Sequence, residues 1–235
     1  TGAGEVGRIT LAFDEDGGVS GVTDARLFDT DPATVAGLWG AGDPYGEGTA
    51  GARVAALVDA ARTVIVAKDG EIVGRTDVFL DGRPGRAEVE ETNLGDLATD
   101  AELAAARAVD ATVMVAIKNG GAIRASIGQV VAGATLPPAA NPDSGKAAGE
   151  ISRLDIESVL PFDNPLELVT LTRAQLVATL EHALGALDPG GIVGSFPQVA
   201  GIAFGFDPAA AAGARIRSAA LVDGDGTVVD VLVRD

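Results

Sequence analysis

The sequence contains no cysteine and only one histidine, one tryptophan, one tyrosine and one methionine. Without cysteine, disulfides and thiolate chemistry are excluded. A two-metal hydrolytic centre draws several His and carboxylate ligands to one point. Serine catalysis of the triad kind would have to use the lone His182 as its base. His182 follows Glu181 in a helical stretch whose apolar stripe passes through Ala183, and it reads as a partly exposed or structural histidine. No catalytic residue and no metal site is therefore assigned to this chain. Basic residues are also scarce, 17 against 34 acidic, for a net charge of −17. That balance argues against nucleic acid as a partner, because a phosphate backbone needs clustered Lys and Arg, and against docking on an anionic membrane. It describes a self-repelling acidic surface, in which a small anion binds only where Arg and backbone N–H groups oppose the field. No apolar run approaches the roughly 18 residues of a membrane span. The first residue is Thr1 and no signal-peptide pattern precedes it, so a processed chain, or one cut from a longer polypeptide, is expected. Aromatics make up only 4% of the residues, which leaves the core to Val, Leu, Ile and Ala and makes each of the seven Phe conspicuous.

Residues 7–13 alternate Ile9, Leu11 and Phe13 against polar or small partners, the period of a half-buried strand. Residues 14–18, Asp-Glu-Asp-Gly-Gly, form a turn, and Val19 to Val22 return as a hairpin. Residues 30–50 are rich in Asp, Pro, Gly and Ala and read as a loop. From Ala50 to Ala67 the positions Val54, Leu57, Val58, Ala61, Val64 and Ile65 recur at helical spacing, predicting a connecting helix that ends at Lys68-Asp69-Gly70. Beyond it strands and helices alternate. Val73 to Leu80 reads as a strand. Asn93 opens a helix with Leu94, Leu97, Ala98, Ala101, Ala104 and Ala105 on one stripe, and Asp96 complements the dipole at its start. Ala111 to Lys118 is apolar enough for a buried central strand. Residues 134–149 read as a surface loop. Leu166 to Leu171 reads as a strand, and Thr172-x-x-Gln175 is a capping box for a helix with Leu176, Val177, Leu180, Ala183 and Leu184 inward, stopped by Pro189-Gly190-Gly191. Ile202 to Phe206 and Ala219 to Val233 supply further strands. The whole predicts an α+β fold, a mixed sheet with packed helices, preceded by a short strand pair and a connecting helix.

Three short segments could carry binding chemistry. Asn119-Gly120-Gly121-Ala122-Ile123-Arg124 follows a strand directly. Its glycines let the backbone turn sharply and approach a ligand, Asn119 offers donor and acceptor, and Arg124 offers a planar fork for phosphate or carboxylate. An ordinary Asn-Gly turn explains that hexapeptide equally well. Pro161-Phe162-Asp163-Asn164 sets a ring in a polar context, where it either stacks on a planar base or turns into the core, the commoner fate of Phe. Gly194-Ser195-Phe196-Pro197-Gln198 is a third turn-like segment before a strand.

These segments, taken in order with Glu91-Thr92-Asn93-Leu94-Gly95-Asp96-Leu97 and Leu180-Glu181-His182, resemble the C-terminal domain of the 5'-nucleotidase, or bifunctional metallophosphatase/5'-nucleotidase, family over about residues 71–235. The resemblance implies that residues 1–30 are strands of an N-terminal metallophosphatase domain, that 31–70 are linker and connecting helix, and that 71–235 bind nucleotide. It implies that Asn119 and Arg124 face the substrate phosphate and the metal centre of the other domain. Phe162 would be one side of a clamp on the nucleobase, Asn164 would hydrogen-bond the base, and Gly194 would line its edge. Two divalent metal ions are expected in the N-terminal domain of the same polypeptide, and none on this chain. Partners would be a nucleotide or nucleoside and that domain, and the location periplasmic, secreted or at the cell surface. Residues 91–97 look structural.

Two departures stand out. Family members usually carry an Arg a few residues before the position of Glu91, whereas this chain has Glu88, Val89 and Glu90, with Arg86 the nearest cation. The family also continues into a segment with a second stacking aromatic, which lies past Asp235, so that the clamp would have one jaw and the sheet an open edge. The expected function is nucleotide recognition for a metal-dependent phosphoesterase. The alternative is a non-catalytic binding or structural module of a secreted or surface protein.

Overall fold

The computed structural model describes residues 4–40, 42–185, 187 and 194–234. The chain divides into two compact units, residues 1–64 and 65–235. In the first, β1 (Glu5–Phe13) and β2 (Val19–Asp29) pair antiparallel as a long hairpin. Its turn is closed by the Asp14 carboxylate, which accepts from the backbone N–H of Asp16 (3.1 Å) and of Gly18 (2.7 Å), while Gly17 takes φ +81°, a conformation that costs glycine little. The stretch expected as loop contains α1 (Pro32–Trp39). Asp31 starts it by accepting from the N–H groups of Ala33 and Thr34, at 2.9 and 3.0 Å, which is the capping that composition alone concealed. The connecting helix is α2 (Ala50–Gly70), which runs on into the second unit. Its apolar positions are helical as expected but exposed, Leu57 at 71%.

The second unit is α+β. Its strands, among the described residues, form small antiparallel sheets: β3 (Ile72–Arg75) with β7 (Glu150–Ser152), β4 (Ala116–Asn119) with β8 (Pro197–Ala200), β5 (Gln129–Val131) with β6 (Ala134–Leu136), and β9 (Ile202–Phe206), β10 (Ile216–Val222) and β11 (Val228–Val233) in the order β11-β10-β9. The helices are α3 (Pro84–Ala87), α4 (Asn93–Val109), α5 (Arg153–Val159) and α6 (Arg173–Ala183). Thr172 caps α6 reciprocally with Gln175, and Leu180 and Leu184 are fully buried against Phe196, Ile202, Ile216, Ala219 and Leu221. The Glu181 carboxylate pins this helix to the start of β10 through the backbone N–H groups of Arg215 (3.0 Å) and Ile216 (2.7 Å). A second core gathers Leu80, Ala87, Leu94, Ile123, Ile127, Ile151 and Val159. The stop signal expected at 189–191 lies outside the described residues.

Several expectations change. The apolar run 111–118 is a strand only from Ala116, because the Asp110 carboxylate holds Thr112 in a turn through its N–H (2.8 Å) and hydroxyl (2.6 Å). That strand has the single partner β8 among the described residues, so it is not central. Strand β3 covers only the start of 73–80, and Leu80 contributes one bridge, to Ile127. Residues 166–171 are unpaired among the described residues and exposed throughout, since alternation supplies a period but no neighbouring edge. The buried face of α4 is Leu94, Gly95, Ala98, Thr99, Leu103 and Ala106, whereas Leu97 is 46% exposed. Close approach to β8 sets this rotation, because a Cβ on Gly95 would stand 2.0 Å from Oε1 of Gln198.

The segment 134–149 is not simply a surface loop. It forms β6 and then folds Asn141 to Lys146 against α2 and α5. Asp69 accepts from Asn141 Nδ2 (2.7 Å), Ser144 Oγ (2.7 Å), Ser152 Oγ (2.8 Å) and Lys146 Nζ (3.1 Å), and Lys146 also donates to Asp155 (2.5 Å). Burial alone would raise the Asp69 pKa, but these four donors outweigh it and lower it to about 2. Burial likewise opposes the charge on Lys146, and the two carboxylates reverse that, raising its pKa.

Candidate functional site

The site begins where β4 and β8 stop pairing as strands. Their register sets Asn119 opposite Pro197 and Lys118 opposite Gln198. The chain past Asn119 turns through a 3-10 helix, Gly120–Ala122, yet stays stitched to the other chain segment: Gly120 N–H donates to Phe196 O (2.7 Å) and Gly121 N–H to Gly194 O (2.9 Å). Asn119 Nδ2 donates to the same Gly194 carbonyl at 3.2 Å. The two backbones meet so closely that a Cβ on Gly121 would stand 2.8 Å from Gly194 Cα and 2.9 Å from Gly194 O. On the other side a Cβ on Gly120 would come within 1.9 Å of Ala87 O. Glycine is required here for space, since no larger residue fits between packed backbones.

Arg124 lies on the exposed rim, its Nη1 donating to Gly121 O at 3.2 Å and its N–H to Val159 O at 2.9 Å. Three of the expected residues, Asn119, Arg124 and Gly194, thus belong to one hydrogen-bonded cluster. Phe162 and Asn164 follow on the extended chain that leaves Val159, and both are exposed, Phe162 at 54%. Leu160 packs on the second core and Phe162 does not, so the ring is not turned into the core.

Beneath the cluster sits Gln198, fully buried. Its Nε2 donates to Ala87 O (2.9 Å) and Glu90 O (2.7 Å), and its Oε1 accepts from Thr92 N–H (3.1 Å). This amide ties residues 87–92 to β8 and fixes the floor of the site. Sequence reasoning missed it, and its only signal was a polar residue in a strand otherwise made of Pro, Val and Ala. Glu88, also missed, is only 8% exposed, and its Oε1 lies 4.0 Å from where a Cβ on Gly194 would be. Arg86, the cation nearest to it in sequence, pairs instead with Glu90 one helical turn on. Burial, then the charge and hydrogen bond of Glu91, then Asp100 push the neighbouring Asp96 up to about 6. His182 is exposed on α6. Among the described residues there is no group of three or more His, Asp or Glu able to hold a metal ion, so they do not fit a dinuclear centre. No helix among them is long and apolar enough to cross a membrane.

Comparison with known proteins defines the class. The profile of the family described as 5'-nucleotidase, C-terminal domain, matches residues 72–231, and the chain belongs to that family. Among individual relatives, it is 33% identical over 202 residues to the trifunctional nucleotide phosphoesterase protein YfkN of Bacillus subtilis (strain 168), an alignment covering 86% of this chain and 11% of that protein. It is 31% identical over 140 residues to the 5'-nucleotidase of Mus musculus, covering 57% of this chain and 21% of that one. The crystal structure of the 5'-nucleotidase precursor from Thermus thermophilus superposes with a TM-score of 0.58 at 23% identity, over 97% of this chain and 38% of that one, and shows the shared fold. The chain thus spans a small part of the length of these relatives.

Proposed function

We propose that residues 72–231 recognise the nucleotide in a 5'-nucleotidase-type, metal-dependent phosphohydrolase that cleaves nucleotide phosphate esters. The observation that carries this reading is the convergence of Asn119, Arg124 and Gly194 at the open end of β4 and β8, bonded through shared carbonyls. Family membership and the nucleotide phosphoesterase and 5'-nucleotidase names of the relatives support it. In this reading Arg124 and Asn119 face the phosphate, Phe162 stacks on the base, Asn164 hydrogen-bonds the base and Gly194 lines its edge. The contribution is positioning, which lowers the entropy cost of reaction at a centre held elsewhere. Two divalent ions would be carried by a metallophosphatase domain of the same polypeptide, in a periplasmic, secreted or surface enzyme.

The test is isothermal titration of the chain with AMP and with adenosine, and of Phe162→Ala in parallel. Saturable heat that falls at least about tenfold in affinity in the variant is expected, since base stacking contributes roughly 1–3 kcal/mol. A folded chain that gives no heat with either ligand would sink the reading and leave a structural module.

A further inference from the structure

Glu88 is a polar side chain more than nine-tenths buried for which the described fold provides no partner. No described group donates a hydrogen bond to its carboxylate and no described cation pairs with it; Arg86 is occupied by Glu90 and Arg124 by Gly121 O. Its oxygens are nevertheless not sealed, because no side-chain oxygen or nitrogen among the described residues is both closed to solvent and unpartnered. The carboxylate therefore looks out through a narrow opening beside Gly194. Burying a carboxylate without donors is costly, and such a group in a well-packed fold calls for a ligand that donates. The surrounding atoms make the same demand. Asn119 commits an N–H to Gly194 O, whose carbonyl also takes the Gly121 N–H, so Asn119 Oδ1 is left as an acceptor. The inner part of the site is rich in acceptors, and the cation Arg124 stands at its rim.

We infer that Glu88 is a sugar-hydroxyl subsite: its two carboxylate oxygens accept hydrogen bonds from the vicinal 2'- and 3'-hydroxyls of a ribosyl ligand and thereby select ribonucleotides over deoxynucleotides. The inference rests on the nucleotide-recognition reading above. Within that reading the location is consistent, because Glu88 adjoins Gly194 on the base side, and Gly194 is bonded to Asn119 on the phosphate side. The sugar lies between base and phosphate. A carboxylate in that position also disfavours direct entry of a phosphate group by like-charge repulsion, which keeps the anion at the Arg124 rim and sets the ligand's direction.

The experiment is titration of the 235-residue chain with AMP, 2'-deoxy-AMP and 2',3'-dideoxy-AMP, repeated with Glu88→Gln and Glu88→Leu. The wild type should bind AMP about tenfold or more tighter than the dideoxy compound, the range expected for hydrogen bonds to a charged acceptor. In both variants the ratio should fall to within about threefold. Thermal midpoints should be unchanged or higher, because no protein partner is lost. Equal wild-type affinities for the three nucleotides, a preference that survives in both variants, or variants that fail to fold would each overturn the subsite. AMP binding without sugar discrimination would overturn this inference alone, whereas absence of any nucleotide binding would remove the recognition reading with it.

Discussion

Two polar clusters in the second unit are built in opposite ways. Around Asp69, one carboxylate meets four donors, and the buried ammonium of Lys146 meets two carboxylates; each charge has an answer within the protein. Around Gly194, the carbonyl is doubly used but the Glu88 carboxylate and Asn119 Oδ1 face outward unanswered among the described residues. Both clusters contain buried charge, so burial does not separate structure from site. Saturation does. A completed network fixes where segments sit, and an incomplete one is finished by something else.

That contrast can be broken most directly at Lys146. Lys146→Met leaves Asp69 and Asp155 without their cation, and a loss of about 3–5 kcal/mol is expected in urea unfolding, whereas Glu88→Gln should lose nothing. A Lys146 variant as stable as the wild type would show that the network merely fills space. Next in size is Gln198→Leu, which strands two carbonyls and one N–H. Roughly 2–3 kcal/mol should be lost, together with nucleotide affinity, because the floor linking residues 87–92 to β8 loosens. Gly121→Ala sharpens the site side of the comparison. The added methyl must push Gly194 away, so affinity should drop with about 1–3 kcal/mol of stability, and retained binding would mean the two loops are not held in contact.

Acid separates the two regions in sign. Asp69, lowered to about 2, contributes stability above its unfolded pKa near 4 that is lost as pH falls from there toward 2. Asp96, raised to about 6, acts the other way: its ionised form is disfavoured in the fold, and that penalty is relieved as pH falls from about 6 to about 4. Asp96→Asn should therefore unfold at higher urea than the wild type at about pH 7, with the difference closing by about pH 4. A difference constant with pH would count against the raised pKa. The smallest stability effect is expected for Phe162→Ala, within about 0.5 kcal/mol, since the ring is exposed and packs on no core.

What could be read from the chain divides along the same line. Local signals were faithful: the Thr172–Gln175 box, the hairpin at Asp14–Gly18, and the helix from Asn93 all depend on neighbours in sequence. Asn119, Arg124 and Gly194 were legible through their small, turn-forming context. Glu88 and Gln198 were not, because what makes them matter is a partner gained or withheld far along the chain. The face of α4 was misjudged by a fraction of a turn for the same reason, since Gly95 is turned inward by Gln198 and not by its own helical pattern. Leu166 to Leu171 carries the period of a strand, and only the fold reveals that no described edge meets it.

The long spans that close the site also bear on how it comes into being. Asn119 reaches Gly194 across 75 residues, and Gln198 reaches Thr92, Glu90 and Ala87 across 106, 108 and 111. Contacts so distant along the chain form only after nearer ones have offset the entropy of closing the loop. The helices and hairpins can condense while the site does not yet exist. A nucleotide that binds here would then act as a probe of completed folding: absent from early intermediates, captured in the last phase, and holding the finished chain against unfolding by mass action.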